Sequence, residues 1–500
     1  NGGLVTENWF DLNASRYTPS STLQRMELLK TGYMGTLSLG WDNYLFLELT
    51  GRQERSSTLK DQSFFYPSAN LSFLFTQAFH MPSWWNYGKL RLSYGIVGNA
   101  PETYTANIVY EQGSDNGFTW NTIPSSWGNA DIRPEKKYEY EIGLESKFLN
   151  NRLGIDISYY NNRVKDQILS TPQPSTSGVK NVLMNVGEVA NRGWDISISA
   201  TPILTRDFRW DLTANYGVYK NKVVKLADGV PYLEILNSGG SGIKIQAVEG
   251  QPMGDIYAQV PQVNENGEYL VSDKGLYLNQ TELQKVGNIN PAGVGGLFNS
   301  FSYKNVFLDF SIDFRIGGDV INEMNQYATA VGLTPESLKY RDTEHGGLSY
   351  YYPGDNNSSG IPVQVDPSTG AGPNGEIIYH DGIILPGVVA STGERNTRII
   401  PAGYYYNTTY NWGTEAEQLT YRHSVFDNSY VKLRELTIGY QFPEKMISKL
   451  GLGRLSVSVF GRNLFYFYKA LKNYDAESSV GTSWANQATV GSSTTATRSF

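Results

Sequence analysis

The chain has 500 residues, no cysteine and a formal net charge of −7, with an isoelectric point near 5.4. Disulfides and thiolate metal sites are therefore excluded, and the charge disfavours nucleic acid, which calls for a basic patch. Mean hydropathy is negative and no apolar run reaches the ~18 residues of a helical membrane span, which leaves open a membrane β-barrel, whose polar inner face cancels its oily outer face.

Taken in chain order, alternating segments predict strands near 33–41, 44–52, 64–75, 89–98, 137–149, 152–169, 184–203 and 208–226. Four more are predicted near 288–304, 306–318, 429–442 and 454–468, giving twelve. In the stretch VFLDFSIDFR (306–315), Leu308, Phe310, Ile312 and Phe314 take one side, while Asp309, Ser311, Asp313 and Arg315 take the other. A strand has a two-residue side-chain period, so one face is wholly apolar and the other polar. The same split recurs at Leu37, Leu39, Trp41, at Leu153, Ile155, Ile157, and at Trp194, Ile196, Ile198.

Some connections are tight turns: Asp42-Asn43, Asn150-Asn151, 204–207 and Lys304-Asn305. Asn and Asp tolerate the positive φ that hairpin turns need. The opposite connections are long and polar, near 99–136, 227–286 and 319–428. Short turns at one end and long loops at the other are the habit of an outer-membrane barrel. A soluble sandwich would also alternate, but with strands of about 5–6 residues, shorter than many here. Aromatic clusters at Trp84-Trp85, Tyr159-Tyr160 and 465–468 read as interfacial girdles at strand ends.

Several blocks resemble the SusC/RagA family of TonB-linked outer-membrane transporters of Bacteroidota. They are TGRQERSSTL (50–59) with FFYPSANLSF (64–73), KLRLSYGIVGN (89–99), IRPEKKYEYEIGLESKFLNNRLGIDISYYNNRVKDQIL (132–169) and NVGEVANRGWDISISATPI (185–203). NINPAGVGGLFNSFSYKN (288–305), YVKLRELTIGYQFP (430–443) and VFGRNLF (459–465) continue the series in order over nearly the whole chain.

The resemblance implies an all-β transmembrane antiparallel barrel of 22 strands in the complete family member, of which about twelve are covered here. It also implies a plug domain and a TonB-engaging segment, neither of which is visible in this sequence. The expectation is that residues 1–500 are the C-terminal part of such a barrel, with extracellular loops near 99–136, 227–286, 319–428 and 469–496. Thr497-Arg498-Ser499-Phe500 looks like the start of the family's last strand, and NGGLVTENWF at the start lacks the features of an export signal.

The implied function is active import of large nutrients, most often oligosaccharides, across the bacterial outer membrane. The implied partners are a SusD-like surface lipoprotein as lid, TonB-ExbB-ExbD through the part not covered, and outer-membrane lipid. Assembly as a dimer of such pairs is left open. Rival readings are a peptide importer of the same family, a siderophore or cobalamin receptor, a passive porin, and an outer-membrane hydrolase built on the adjacent His380-Asp381.

Adjacent residues rarely point into one site, and the setting IIYHDGII (377–384) reads as a loop hairpin, so no catalytic residue is assigned. The four histidines match no zinc spacing, and the expected cofactor is none. NENGE (264–268) and GDNNSSG (354–360) carry oxygen ligands around glycine, a weak calcium signal that ordinary turn chemistry also explains. Lumen- or plug-facing candidates are Glu139, Glu141, Asp156, Asp195, Asp211, Asp309, Asp313 and Arg315. Substrate- or lid-contact candidates are the loop aromatics Tyr350, Tyr351, Tyr352, Tyr404, Tyr405, Tyr406 and Trp412, because such rings stack on sugars or pack on a partner.

Overall fold

A computed structural model describes residues 25–490 except 61–62, 116–117, 239–241, 355–359, 412–419, 449–450 and 479–484, and a few isolated positions before 25. Twelve long strands form one sheet: β1 Lys30–Trp41, β2 Leu45–Ser56, β3 Ser63–Phe73, β4 Trp85–Asn99, β5 Glu135–Phe148 and β6 Leu153–Lys165. It continues through β7 Glu188–Leu204, β8 Phe208–Lys225, β9 Gly293–Tyr303, β10 Val306–Ile316, β11 Tyr430–Gln441 and β12 Ser456–Lys469. Each strand pairs antiparallel with its neighbour in sequence, an up-and-down meander in which all twelve expected strands are present. No helix among the described residues is long and apolar enough to cross a membrane, so the wall is built of strands.

The register explains how alternation becomes two faces. Leu39, Leu47, Leu71, Leu92, Ile142, Tyr159, Trp194 and Val218 stand opposite one another from β1 to β8. Ile155, Ile198, Ala214, Leu297, Ile312 and Leu433 form a second apolar row from β6 to β11. Many of these side chains remain exposed in the isolated chain, among them Leu39, Leu92, Ile142 and Trp194. An apolar belt of this extent is the lipid-facing side. A polar residue on this face, Asn299, stands between Leu212 and Phe310 and is almost wholly covered; the Trp210 indole N–H donates to its Oδ1 at 3.1 Å.

The turns obey the expected chemistry: Asp42 and Asn43 have φ of 47° and 58°, and Asn150 and Asn151 have 55° and 62°. Trp84, Trp85 and Phe148 stack beside the β5–β6 turn, a girdle at the short-turn end. Tyr159 and Tyr160 correct that expectation, since they sit within β6 rather than at its end and point to opposite faces.

The long connections carry structure of their own. Tyr232–Ser238, Ile243–Val248, Asp255–Ala258 and Gln284–Asn288 form a four-stranded sheet in the β8–β9 connection. The β10–β11 connection holds a second one, of Val363–Gln364, Leu348–Tyr351, Tyr379–Ile383 and Ile400–Pro401, with helices α1 Glu323–Ala330 and α2 Ala402–Tyr410. Residues 377–384, expected as a hairpin, instead contribute one strand to that sheet.

The two connections are fused. Leu270–Val271 pairs in parallel with Val388–Val389. A buried cluster joins Ile243, Ile245 and Ile256 of one to Ile321, Tyr421 and Val425 of the other, and to Ala485 and Ala488 beyond β12. Apolar burial of this kind makes ordered bodies of the long connections.

Candidate functional site

The face opposite the apolar belt is polar along one continuous row: Glu145, Asp156, Ser197, Asn215, Gly296, Asp313, Lys432 and Tyr466, from β5 to β12. All eight lumen-facing candidates stand on this face. In β4–β6 the Arg91 guanidinium is bidentate to Asp156, at 2.6 and 3.1 Å, and reaches Glu145 at 3.4 Å. Glu139 accepts from Asn162 at 2.9 Å and pairs with Lys137 at 2.6 Å. Asp211 accepts from Thr201 at 2.7 Å and pairs with Arg209. Arg315 donates to the backbone carbonyls of Gly317 and Ile289, which pins the mouth of the β10–β11 connection to the wall. Glu141, Asp195 and Asp309 take part in no ion pair among the described residues.

Four of these residues come together. A depression of about 670 Å³ in the polar face is lined by Asp156, Asp195, Asp313 and Arg315, with Tyr430 beside them and Gly217, Gly295 and Gly296 beneath. Glycine at the base leaves room that a side chain would fill. At Gly217, for instance, an added Cβ would lie 3.0 Å from the Asp195 carboxylate.

Sequence reading missed a second cluster. A bulge interrupts the β10–β11 and β11–β12 registers between Leu433 and Glu435, which leaves Arg434 unpaired on both sides. Bulges re-aim side chains, and here the guanidinium reaches Asp313 at 2.6 Å, Asn463 at 2.9 Å and Glu477 at 2.5 and 2.8 Å. Glu477 also binds Lys432, whose side chain is only 1% exposed. The sequence did hold a signal: in VKLRELTIGY the apolar phase slips between Leu433 and Leu436, which is what one extra residue does to a two-residue period. Glu477 carried no such signal because it lies beyond the strand.

The loop aromatics divide. Tyr350, Tyr352 and Tyr406 are buried: Tyr350 stacks on Tyr379 and donates to Asp381 at 3.1 Å, and Tyr406 donates to the Glu336 carbonyl at 2.8 Å. They hold the connection's own core together. Tyr351, Tyr404 and Tyr405 are partly exposed. Tyr404 and the rim of Tyr352 line a recess of about 320 Å³ with Arg398. Burial pushes the Tyr405 hydroxyl up and His423, which stacks on Tyr410, down to about 4, so both stay neutral at physiological pH. Trp412 lies outside the described residues, as do 355–359 of the second loop with a calcium signal.

His380 does not meet Asp381. Its Nδ1 lies 2.8 Å from the Ser349 hydroxyl, while Asp381 accepts from Tyr350, so no base is oriented by a carboxylate. In 264–268, Asn264 Oδ1 accepts the backbone N–H groups of Asn266 and Glu268, an Asx turn that engages this oxygen within the loop.

A meandering sheet with an apolar outer face, an ion-paired inner face and all its long connections at one end is an outer-membrane β-barrel wall. The family model for the TonB-dependent receptor-like β-barrel matches residues 5–248. TonB-dependent receptor P3 of Formosa agariphila is 24% identical over 90% of this chain and 42% of its own length. TonB-dependent receptor SusC of Bacteroides thetaiotaomicron is 30% identical over 45% of this chain and 24% of its own length. The solved RagAB peptide transporter superposes with a TM-score of 0.67 at 18% identity, covering 94% of this chain and 48% of that one.

The chain is similar to the TonB-dependent receptors of SusC/RagA type, which are β-barrels of the bacterial outer membrane. It spans less than half the length of the curated relatives it matches.

Proposed function

We propose that this chain is part of an active importer of large nutrients, with oligosaccharides as cargo and a SusD-like surface lipoprotein as lid. The observation that carries this reading is the pairing of a charge-lined wall with ordered, aromatic-bearing connections at one end only. A passive pore needs no such body over its mouth. The partly exposed Tyr351, Tyr404 and Tyr405 suit sugar rings or a partner surface. The lumen-facing carboxylates, and Arg315, suit a polar plug packed against the wall. TonB would supply the work that moves that plug. Transport then needs no covalent step, only a ligand that binds the closed state better than the open one.

The test is to purify the full-length protein from its own outer membrane in mild detergent and identify what comes with it by mass spectrometry. A stoichiometric surface lipoprotein supports the lidded importer, and a barrel isolated alone counts against it. Peptide cargo is the reading suggested by the name of the structural neighbour. Uptake of labelled oligosaccharide against labelled peptide separates the two.

A further inference from the structure

The Arg434 cluster differs from the rest of the wall in where its counterion comes from. Elsewhere, strand pairs with strand. Here a strap of residues 470–478 leaves β12 and folds back onto the polar face, bringing an acid with it. Leu471 is buried beside Val320 and Val490, Asn473 donates to Asn325 of α1 at 3.0 Å, and Asn428 donates to the Ala476 carbonyl at 2.8 Å. A turn at Asp475 then presents Glu477: the Glu477 N–H donates to Asp475 Oδ1 at 2.9 Å, and Tyr466 holds the same oxygen at 3.0 Å.

On the wall, Lys432, Arg434 and Lys469 are cations, and the wall carboxylate that pairs with them among the described residues is Asp313. The strap adds Glu477, which pairs with Lys432 and Arg434, and Asp475, which stands close to Lys469. An ammonium as buried as that of Lys432 must be compensated. The compensating group rides on a segment outside the sheet, so it can leave without unpairing a strand. Two donors of a guanidinium fork and one ammonium converging on both oxygens of a single carboxylate also make a complete carboxylate receptor.

We propose that Lys432 and Arg434 form a carboxylate-binding cradle on the lumen wall, that Glu477 occupies it as an internal stand-in, and that a carboxylate on the transported molecule displaces the strap. This inference rests on the importer reading for the origin of the ligand. The cradle and its stand-in do not depend on that reading. Because Asn473 and Asn428 tie the strap to the β10–β11 connection, displacement also signals cargo to the loop body above the barrel.

The experiment is hydrogen exchange read by mass spectrometry on the full-length protein, following peptides over 470–478. Sodium glucuronate, sodium N-acetylglycinate, sodium chloride at equal ionic strength and neutral glucose are the probes. The cradle predicts that a carboxylate speeds strap exchange about tenfold over chloride and glucose, since a competitor that takes the closed site populates the open one. Response to glucuronate alone assigns an acidic sugar, and response to N-acetylglycinate alone assigns a peptide terminus. No response to either carboxylate overturns the proposal, whatever co-purifies with the protein.

Two variants sharpen the result. Glu477→Gln removes the stand-in, so glucuronate or N-acetylglycinate, whichever the wild type answers to, should bind about tenfold tighter by calorimetry. Unchanged or weaker binding would mean that Glu477 is structural only. The double variant Lys432→Met with Glu477→Gln deletes the buried charge with its partner, and should keep the fold while losing carboxylate binding.

Discussion

Two stretches of the same wall solve the same electrostatic problem in different ways. In β4–β6, Arg91 is neutralised by Glu145 on the next strand and Asp156 on the one beyond it, both fixed in the sheet. In β10–β12, Lys432 and Arg434 are neutralised largely by Glu477, which arrives on a returning segment. The first arrangement can open only if the sheet opens. The second can open while every ladder hydrogen bond stays in place, so one is architecture and the other is a catch.

The largest expected effect is on the catch. Glu477→Ala leaves the Lys432 ammonium buried beside Arg434 with no compensating acid from the strap. The expected cost is about 3 kcal/mol, at the low end for uncovering a buried charge because Glu477 itself is about a third exposed. That energy corresponds to roughly a hundredfold faster amide exchange over 470–478, a local opening that leaves the strands untouched. Faster exchange in β10–β12 as well would show that the strap belongs to the sheet's cooperative unit and would erase the contrast.

The matching substitution in the other stretch is Arg91→Met. The guanidinium is about a quarter exposed and Glu145 keeps Lys89 and Lys147 within 4 Å, so a loss of about 1–2 kcal/mol is expected. Here the loss should appear in the unfolding midpoint of the barrel in a denaturant titration, and in exchange across β4, β5 and β6 together. An effect confined to one loop would contradict the strand-to-strand reading.

How much of this was legible in the sequence follows the same division. Strands are periodic, so a single chain shows them: Leu308, Phe310, Ile312 and Phe314 announce an outer face, and Asp309, Asp313 and Arg315 an inner one. The Asn and Asp turns show because positive φ restricts residue choice. What long-range packing decides did not show. Nothing in SYYYPG tells that Tyr350 and Tyr352 are buried while Tyr351 is not, because a short strand in a four-stranded sheet sets which rings turn inward. Glu477 was equally silent, since its role depends on a fold-back of nine residues. Arg434 lies between these cases, hidden by a bulge whose phase slip was readable.

The smallest expected effect is the protonation of the catch. Burial raises the Glu477 carboxyl, but hydrogen bonds from Arg434 and Lys432 and their charges outweigh it and hold it at about 2, below its ordinary 4.5. Lys432, Arg434 and Tyr430 face it from β11, Asp313 from β10, and Tyr466 with Lys469 from β12, with Asp475 beside it on the strap. A carboxylate whose folded value is depressed contributes its full stability above the unfolded value and loses it as pH falls toward the folded one. Strap exchange, corrected for the intrinsic pH dependence of amide exchange, should therefore be flat above pH 4.5 and rise steadily from there toward 2. In Glu477→Gln the rise should vanish, because glutamine cannot titrate. A rise that persists in that variant would show that a group other than Glu477 controls the opening of the strap.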